Sequence, residues 1–162
     1  MVEEFLSRID RALTRAGVPY MVIGGQAVMR HGRMRMTEDV DVTLGVSPRQ
    51  VDDILKLLPA LGLEPAREDP RAFVQATQVL PCRPTGDGLP VDFAFSDSAY
   101  EAQAISRADR VTLQSGAVNV VAAEDLVIHK IIASRPVDLM DVKGILLKNP
   151  ALDLSYIRRW LG

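Results

Sequence analysis

Apolar and polar positions change their spacing several times along the chain, and each change predicts an element. Over residues 3–16, Phe5, Leu6, Ile9, Ala12, Leu13 and Ala16 recur at helical intervals and Gly17 follows as a stop, so an amphipathic helix is predicted there. Met21-Val22-Ile23 is a short apolar run ending at Gly24-Gly25, which reads as a strand running into a turn. Residues 26–31 have room for a helix of one or two turns, and an arginine-rich loop follows. Asp39-Val40-Asp41-Val42 then alternates polar with apolar, the mark of a strand. Ser47-Pro48 offers a capping hydroxyl and then a proline, so a helix is predicted to about residue 58, with Val51, Ile54, Leu55 and Leu58 inward.

Residues 72–80 are rich in strand formers and alternate weakly, predicting a strand, and 81–88 read as a turn region. Val91, Phe93 and Phe95 share one face of a further strand, with Asp92 and Ala94 on the other. Residues 98–108 suit a helix, and 111–113 and 117–121 bracket Ser115-Gly116 as a hairpin. The last third is helical: 123–134, a restart at Pro136, a helix over 137–148 with Leu139, Val142, Ile145 and Leu146 as its apolar stripe, and a short terminal helix over 154–161. Strands mixed with helices predict an α+β (mixed α/β) fold, a mixed β-sheet flanked by helices with a helical C-terminal portion from about 123. No repeat and no dividing linker is visible, so residues 1–162 read as one domain.

Composition changes this picture little. At 48% hydrophobic and 25% charged, the chain is not a disordered or low-complexity one. A net charge of −2 gives no global basic field for nucleic acid, yet Arg30, Arg33 and Arg35 cluster just ahead of the carboxylates, where they could hold a triphosphate or an RNA end. The single cysteine, Cys82, excludes an internal disulfide and, with no Cys/His cluster, a zinc site; this suits a cytoplasmic protein. The N-terminus lacks the pattern of a signal peptide, and no apolar run is long enough to cross a membrane.

The candidate chemistry lies between residues 20 and 42. Along a strand, i and i+2 share a face, so Asp39 and Asp41 point the same way, about 7 Å apart. Two such carboxylates repel unless a cation sits between them, and hard oxygen ligands suit Mg²⁺, held with substrate phosphates. Gly24 and Gly25 allow close approach of a backbone N–H to a phosphate, and the following helix would turn its unpaired N–H groups toward an anion. Together the pair points to phosphoryl or nucleotidyl transfer.

The order Gly24-Gly25, a spacer, Arg35-x-Thr37-x-Asp39-Val40-Asp41 resembles the nucleotidyltransferase superfamily of the polymerase-β type, and most of all its minimal bacterial branch with the AbiEii-type toxin enzymes. That resemblance implies a third carboxylate on a neighbouring strand, for which Asp92 is the match, and a helical Lys/Arg/Asp element, matched by Lys130, Arg135, Asp138 and Asp141. Lys130 would reach the nucleotide phosphates, with Asp138 as its partner; Arg135, Asp138 and Asp141 could equally be a salt-bridge cluster joining two helices. Asp39, Asp41 and Asp92 would hold two Mg²⁺ ions, with Mn²⁺ as a substitute, and Asp92 could take the acceptor proton. Gly24, Gly25, Arg35, Thr37, Lys130 and Asp138 would bind the nucleoside triphosphate.

The implied activity is Mg-dependent transfer of a nucleoside monophosphate to an acceptor hydroxyl on a tRNA, a protein or a small molecule. Two alternatives stand beside it. One is a non-catalytic nucleotide- or metal-binding module of the same fold, such as one component of a toxin–antitoxin pair with an antitoxin partner. The other is an antibiotic nucleotidyltransferase of the aminoglycoside kind. Gly25 stands where many members carry Ser, so no hydroxyl is offered to the terminal phosphate at that position.

Overall fold

The computed structural model describes residues 2–31 and 39–162, and only the backbone of Val28, Met29 and His31. In chain order the elements are α1 (Val2–Arg15), β1 (Tyr20–Ile23), α2 (Gly24–His31), β2 (Val40–Leu44), α3 (Val51–Leu55), β3 (Leu63–Pro65), α4 (Pro70–Thr77), β4 (Val79–Pro84), β5 (Val91–Phe95), α5 (Ala99–Ser106), β6 (Asp109–Leu113), β7 (Gly116–Val120), α6 (Ala123–Ala133), α7 (Pro136–Lys148) and α8 (Leu154–Leu161). The seven strands make one mixed sheet in the order β3–β4–β5–β2–β1–β7–β6, flanked by helices.

The centre of the sheet follows from the alternation in β2 and β5. Val40, Val42 and Leu44 are buried, as are Val91, Phe93 and Phe95, and these residues fuse the two strands to the core. Because the side-chain period of a strand is two, Asp41 and Asp92 turn to the other face. Parallel pairing of β2 with β5 sets Asp41 directly opposite Asp92, while antiparallel pairing sets Ile23 of β1 opposite Asp41 and Pro81 of β4 opposite Asp92. One row across four strands therefore reads Ile23, Asp41, Asp92, Pro81. On this row's flank, α2 packs on β1 and β2 and also touches α6 and α7, which carries the two C-terminal helices to the edge of the acidic row.

The N-terminal helix docks through Leu6, Ile9 and Leu13, and it buries one carboxylate, Asp10. Tyr20 of β1 donates its hydroxyl proton to Asp10 at 2.6 Å, and Arg110 of β6 grips both oxygens at 2.5 and 2.9 Å. Burial pushes the Asp10 pKa up, but the Arg110 fork and Tyr20 outweigh it and hold the group below the usual carboxylate range. The Tyr20 hydroxyl in turn accepts the Asn119 N–H at 2.9 Å, so one buried network joins α1, β1, β6 and β7. Among the described residues no helix is long and apolar enough to cross a membrane.

Three expectations are corrected. Residues 70–77 are a helix rather than part of a strand: the Asp69 side chain accepts the Ala72 N–H at 3.2 Å and Pro70 sits at the first turn, so capping overrides the β-branched composition. The strand runs instead over Val79–Pro84, into the stretch that read as a turn. The helix predicted to residue 58 is interrupted: a single 3₁₀ turn at Pro48–Gln50 leads into α3, which ends at Leu55. In α7 the buried positions are Asp138, Asp141 and Ile145, whereas Leu139 and Leu146 are 52% and 42% exposed. Two carboxylates occupy the inner face because α6 presents a lysine to them.

Candidate active site

Asp39 closes the approach to β2, Asp41 lies inside it, and Asp92 is its register partner on β5. One carboxylate oxygen from each lies within 4.8 Å of the others, and all three residues are half-buried. Burial first, and then the charges of Asp39 and Asp92, push the Asp41 pKa up to about 6. Asp92 is raised by burial and then by Asp39. A set of hard oxygens whose mutual repulsion is incompletely offset by protein charge is suited to a divalent cation such as Mg²⁺, so the residues present fit the metal that the acidic pattern implies.

Gly24 is the corner of this site. Its φ of +70° is left-handed, and a Cβ built there would lie 3.0 Å from the Asp41 Cβ and closer still to its carboxylate. Only glycine satisfies both constraints. The helix α2 begins at this corner, with no acidic residue in its first turn, so its unpaired N–H groups open beside the carboxylates. Gly25 is the second residue of α2 and is buried.

Lys130 is buried at 6% exposure on α6. Its ammonium lies 3.1 Å from Asp138 and 3.2 Å from Asp141, both fully buried on α7. Asp138 is gripped a second time by Arg135, whose Nε and Nη2 reach its two oxygens at 2.6 and 3.0 Å, and its Oδ2 accepts the Arg135 N–H at 3.1 Å. Arg135 and Lys130 hold the Asp138 carboxyl down to about 2, against the opposing effect of burial. The charges of Lys130 and Arg135 also act on Asp41, lowering its pKa against the larger raising effects, so this cluster stands within electrostatic reach of the acids. The alternative of a salt-bridge cluster joining two helices thus describes how Arg135, Asp138 and Asp141 are placed, with Lys130 at its centre.

Arg33, Arg35 and Thr37 lie outside the described residues, as does the side chain of His31. His129 packs edge-on against Tyr100, with ring centroids 5.7 Å apart, and burial lowers its pKa, which fits a packing residue. Cys82 is buried with its thiol pushed up to about 12, so it offers no nucleophile at neutral pH. Sequence reasoning missed Arg67, whose charge is felt by Asp92. It follows β3 in a loop with no motif around it, and only the sheet order brings it near.

Solved structures share this architecture. An antigenic nucleotidyltransferase-like protein from Paracoccidioides brasiliensis aligns over 98% of this chain and 86% of its own, with a TM-score of 0.60 at 19% identity. The antibiotic-resistance factor ANT(2'')-Ia, seen in complex with adenylyl-2''-tobramycin, aligns over 93% and 89%, with a TM-score of 0.58 at 19% identity. The lincosamide antibiotic adenylyltransferase LnuA, bound to lincomycin, aligns over 87% and 94%, with a TM-score of 0.57 at 14% identity. The fold is that of a nucleotidyltransferase. No protein-family profile and no curated protein sequence matches the chain. In this chain β1, the turn after it at Gly24, and the strands that carry Asp41 and Asp92 lie side by side.

Proposed function

We propose that this chain is a metal-dependent nucleotidyltransferase that moves a nucleoside monophosphate from a nucleoside triphosphate to an acceptor hydroxyl. The observation that carries the reading is the meeting of Asp39, Asp41 and Asp92 against the bare backbone of Gly24. Asp39, Asp41 and Asp92 would hold Mg²⁺ or Mn²⁺, which supplies neutralisation of the triphosphate charge and a lowered pKa for the acceptor hydroxyl. The triphosphate lies against the N-terminus of α2, where the N–H groups near Gly24 and Gly25 donate to its oxygens. Lys130, clamped by Asp138 and Asp141, is a fixed positive charge on the phosphate side, and Arg135 adds a second. The acceptor oxygen bonds to the α-phosphorus, the bond to the β-phosphate oxygen breaks, and pyrophosphate leaves. The proton of the acceptor hydroxyl passes to the Asp92 carboxylate, which meets Asp39 and Asp41 in the same cluster.

The acceptor is drawn from three classes. The resemblance to the toxin-like branch supports RNA or protein and, with it, a cytoplasmic setting and a cognate antitoxin. The antibiotic adenylyltransferases among the structural neighbours support a small molecule. Incubation with each labelled nucleoside triphosphate and Mg²⁺, in the presence of total RNA, total protein, tobramycin or lincomycin, separates these. Label should move into one class and pyrophosphate should appear with it, and Asp39→Asn should abolish both. Binding of Mg-nucleotide without pyrophosphate release from any acceptor would instead mark a non-catalytic module. Full activity of Asp39→Asn would overturn the assignment of the acids.

A further inference from the structure

The row across the sheet gives the cleft two sides. Gly24 and the start of α2 flank Asp41, and beyond Asp92 come β4 and β3. With the triphosphate on the Gly24 side, the acceptor enters from the β4–β3 side. There the Ala66 N–H donates to the Pro81 carbonyl at 2.9 Å, which continues the row one step past Pro81 and places residue 66 about 10 Å from Asp92, two strand spacings away. Arg67 is the next residue, and its charge acts on Asp92.

Several arginines of the chain are tied to carboxylates. Arg71 pairs with Asp52, Arg83 with Glu64, Arg107 with Asp125 and Arg110 with Asp10. Arg67 makes no ion pair with a described residue. Its guanidinium instead lies over the Phe73 ring, 4.9 Å from the centroid, and is exposed to solvent. The acids nearest in sequence are partly occupied: Asp69 caps α4, and Glu64 of β3 holds Arg83, leaving Glu68 exposed. The contact with Phe73 leaves the guanidinium N–H groups without a carboxylate partner among the described residues, and a guanidinium grips a phosphate by two parallel hydrogen bonds. The influence of Arg67 on the Asp92 charge places the same guanidinium within electrostatic reach of the acid trio.

Resting on the nucleotidyltransferase reading, we infer that Arg67, oriented by Phe73, is a specificity-determining residue that selects a phosphate-bearing acceptor and disfavours a polycationic one. An RNA strand and a phosphorylated small molecule both offer such a phosphate, and the chemistry recognised is the same. A polycation such as an aminoglycoside meets the Arg67 charge at the mouth of the acceptor side and is repelled.

The test measures binding and transfer separately. In Mg²⁺ without nucleotide, a 5′-phosphorylated RNA trinucleotide, ribose 5-phosphate and tobramycin are titrated by calorimetry into the full chain, Arg67→Glu, Arg67→Lys and Phe73→Leu. One or both phosphate probes should bind, and which does so identifies the source. Their affinity should fall about tenfold or more in Arg67→Glu, partly recover in Arg67→Lys, and fall less in Phe73→Leu. In transfer assays with the same acceptors, KM for the phosphate-bearing acceptor should rise by a similar factor in Arg67→Glu while KM for the nucleotide stays unchanged. Tighter binding of tobramycin than of either phosphate probe to the unaltered chain, or equal phosphate affinity in the chain and Arg67→Glu, would overturn the inference while leaving nucleotidyl transfer intact. Loss of transfer to every acceptor, with Arg67-dependent phosphate binding preserved, would instead strike the nucleotidyltransferase reading and leave the anion subsite standing.

Discussion

Removing one acid from the trio should stabilise the metal-free protein. Asp41 has a pKa of about 6 in the folded chain against an ordinary value of 3.8. A raised carboxyl means that the folded state binds the proton more tightly than the unfolded state does. Stability is therefore highest below pH 4 as far as this group goes, falls between pH 4 and 6, and is fully lost above that. The interval corresponds to a ceiling of about 3 kcal/mol, which screening on the solvent side of the half-buried group reduces to about 1–2 kcal/mol. Asp41→Asn should recover that amount at pH 7.5 in EDTA. For a chain of 162 residues this is a rise in Tm of roughly 3–6 °C. The assay is urea denaturation at pH 5 and 7.5, in EDTA and in saturating Mn²⁺, read as the difference between the unaltered chain and the variant. The difference matters because His129, whose pKa is lowered by burial, contributes to the pH dependence with the opposite sign. Mn²⁺ should reverse the order, since binding at a hundred times Kd stabilises the unaltered chain by about 2.7 kcal/mol and the variant far less. A variant less stable than the unaltered chain at pH 7.5 in EDTA would refute the argument that mutual repulsion dominates this site.

Gly24→Ala should cost about 2–4 kcal/mol, because it forces a left-handed φ on a residue with a Cβ and drives that carbon into the Asp41 carboxylate; thermal melts in EDTA measure it, and Mn²⁺ should no longer raise the melting point. Lys130→Ala should cost about 3–5 kcal/mol by leaving Asp138 and Asp141 buried beside an empty position, and the triple variant with Asp138→Asn and Asp141→Asn should regain part of it; denaturation curves decide. Asp138, held down to about 2, contributes stability that is complete above pH 4 and lost as pH falls toward 2, so its carboxyl carbon should titrate near 2 by NMR, and higher in Arg135→Ala, since the Arg135 guanidinium is the largest cause. Tyr20→Phe should cost about 1–3 kcal/mol, because Asp10 and the Asn119 N–H both lose a partner; chemical denaturation tests it.

The part of the site that lies on regular strands was legible in the sequence. Asp39-Val40-Asp41-Val42 and Val91-Asp92-Phe93 state by alternation alone which side chains face away from the core, and the structure orients them so. The glycine turn was legible because a strand must stop there, though the reason that Gly24 tolerates nothing larger, the Asp41 side chain packed against it, is a tertiary fact. Helix α4 was obscured because Phe73, Val74 and Thr77 favour strand, and the deciding signal was the shorter one, Asp69-Pro70. The inner face of α7 misled because its leucines fit the helical period as well as its carboxylates do; only the lysine on α6 selects between the two. Arg67 carries no local signal, since its electrostatic reach to Asp92 depends on β4 pairing with β5 and β3 with β4.

The parallel union of β2 with β5 has a consequence for how the protein is born. Asp39 and Asp41 leave the ribosome long before Asp92, and β3, α4 and β4 are synthesised in between. A nascent chain therefore displays an incomplete set of ligands until β5 emerges and slides into place along β2. Closing that loop is one slow, non-local event in assembly, and the pairing of β1 with β7 is another, while β4 joins β5 and β6 joins β7 through nearby contacts. Competence to capture a cation should accordingly arrive at one stroke, in step with amide protection at Val42 and Phe93, which makes metal uptake a reporter of the union of β2 with β5.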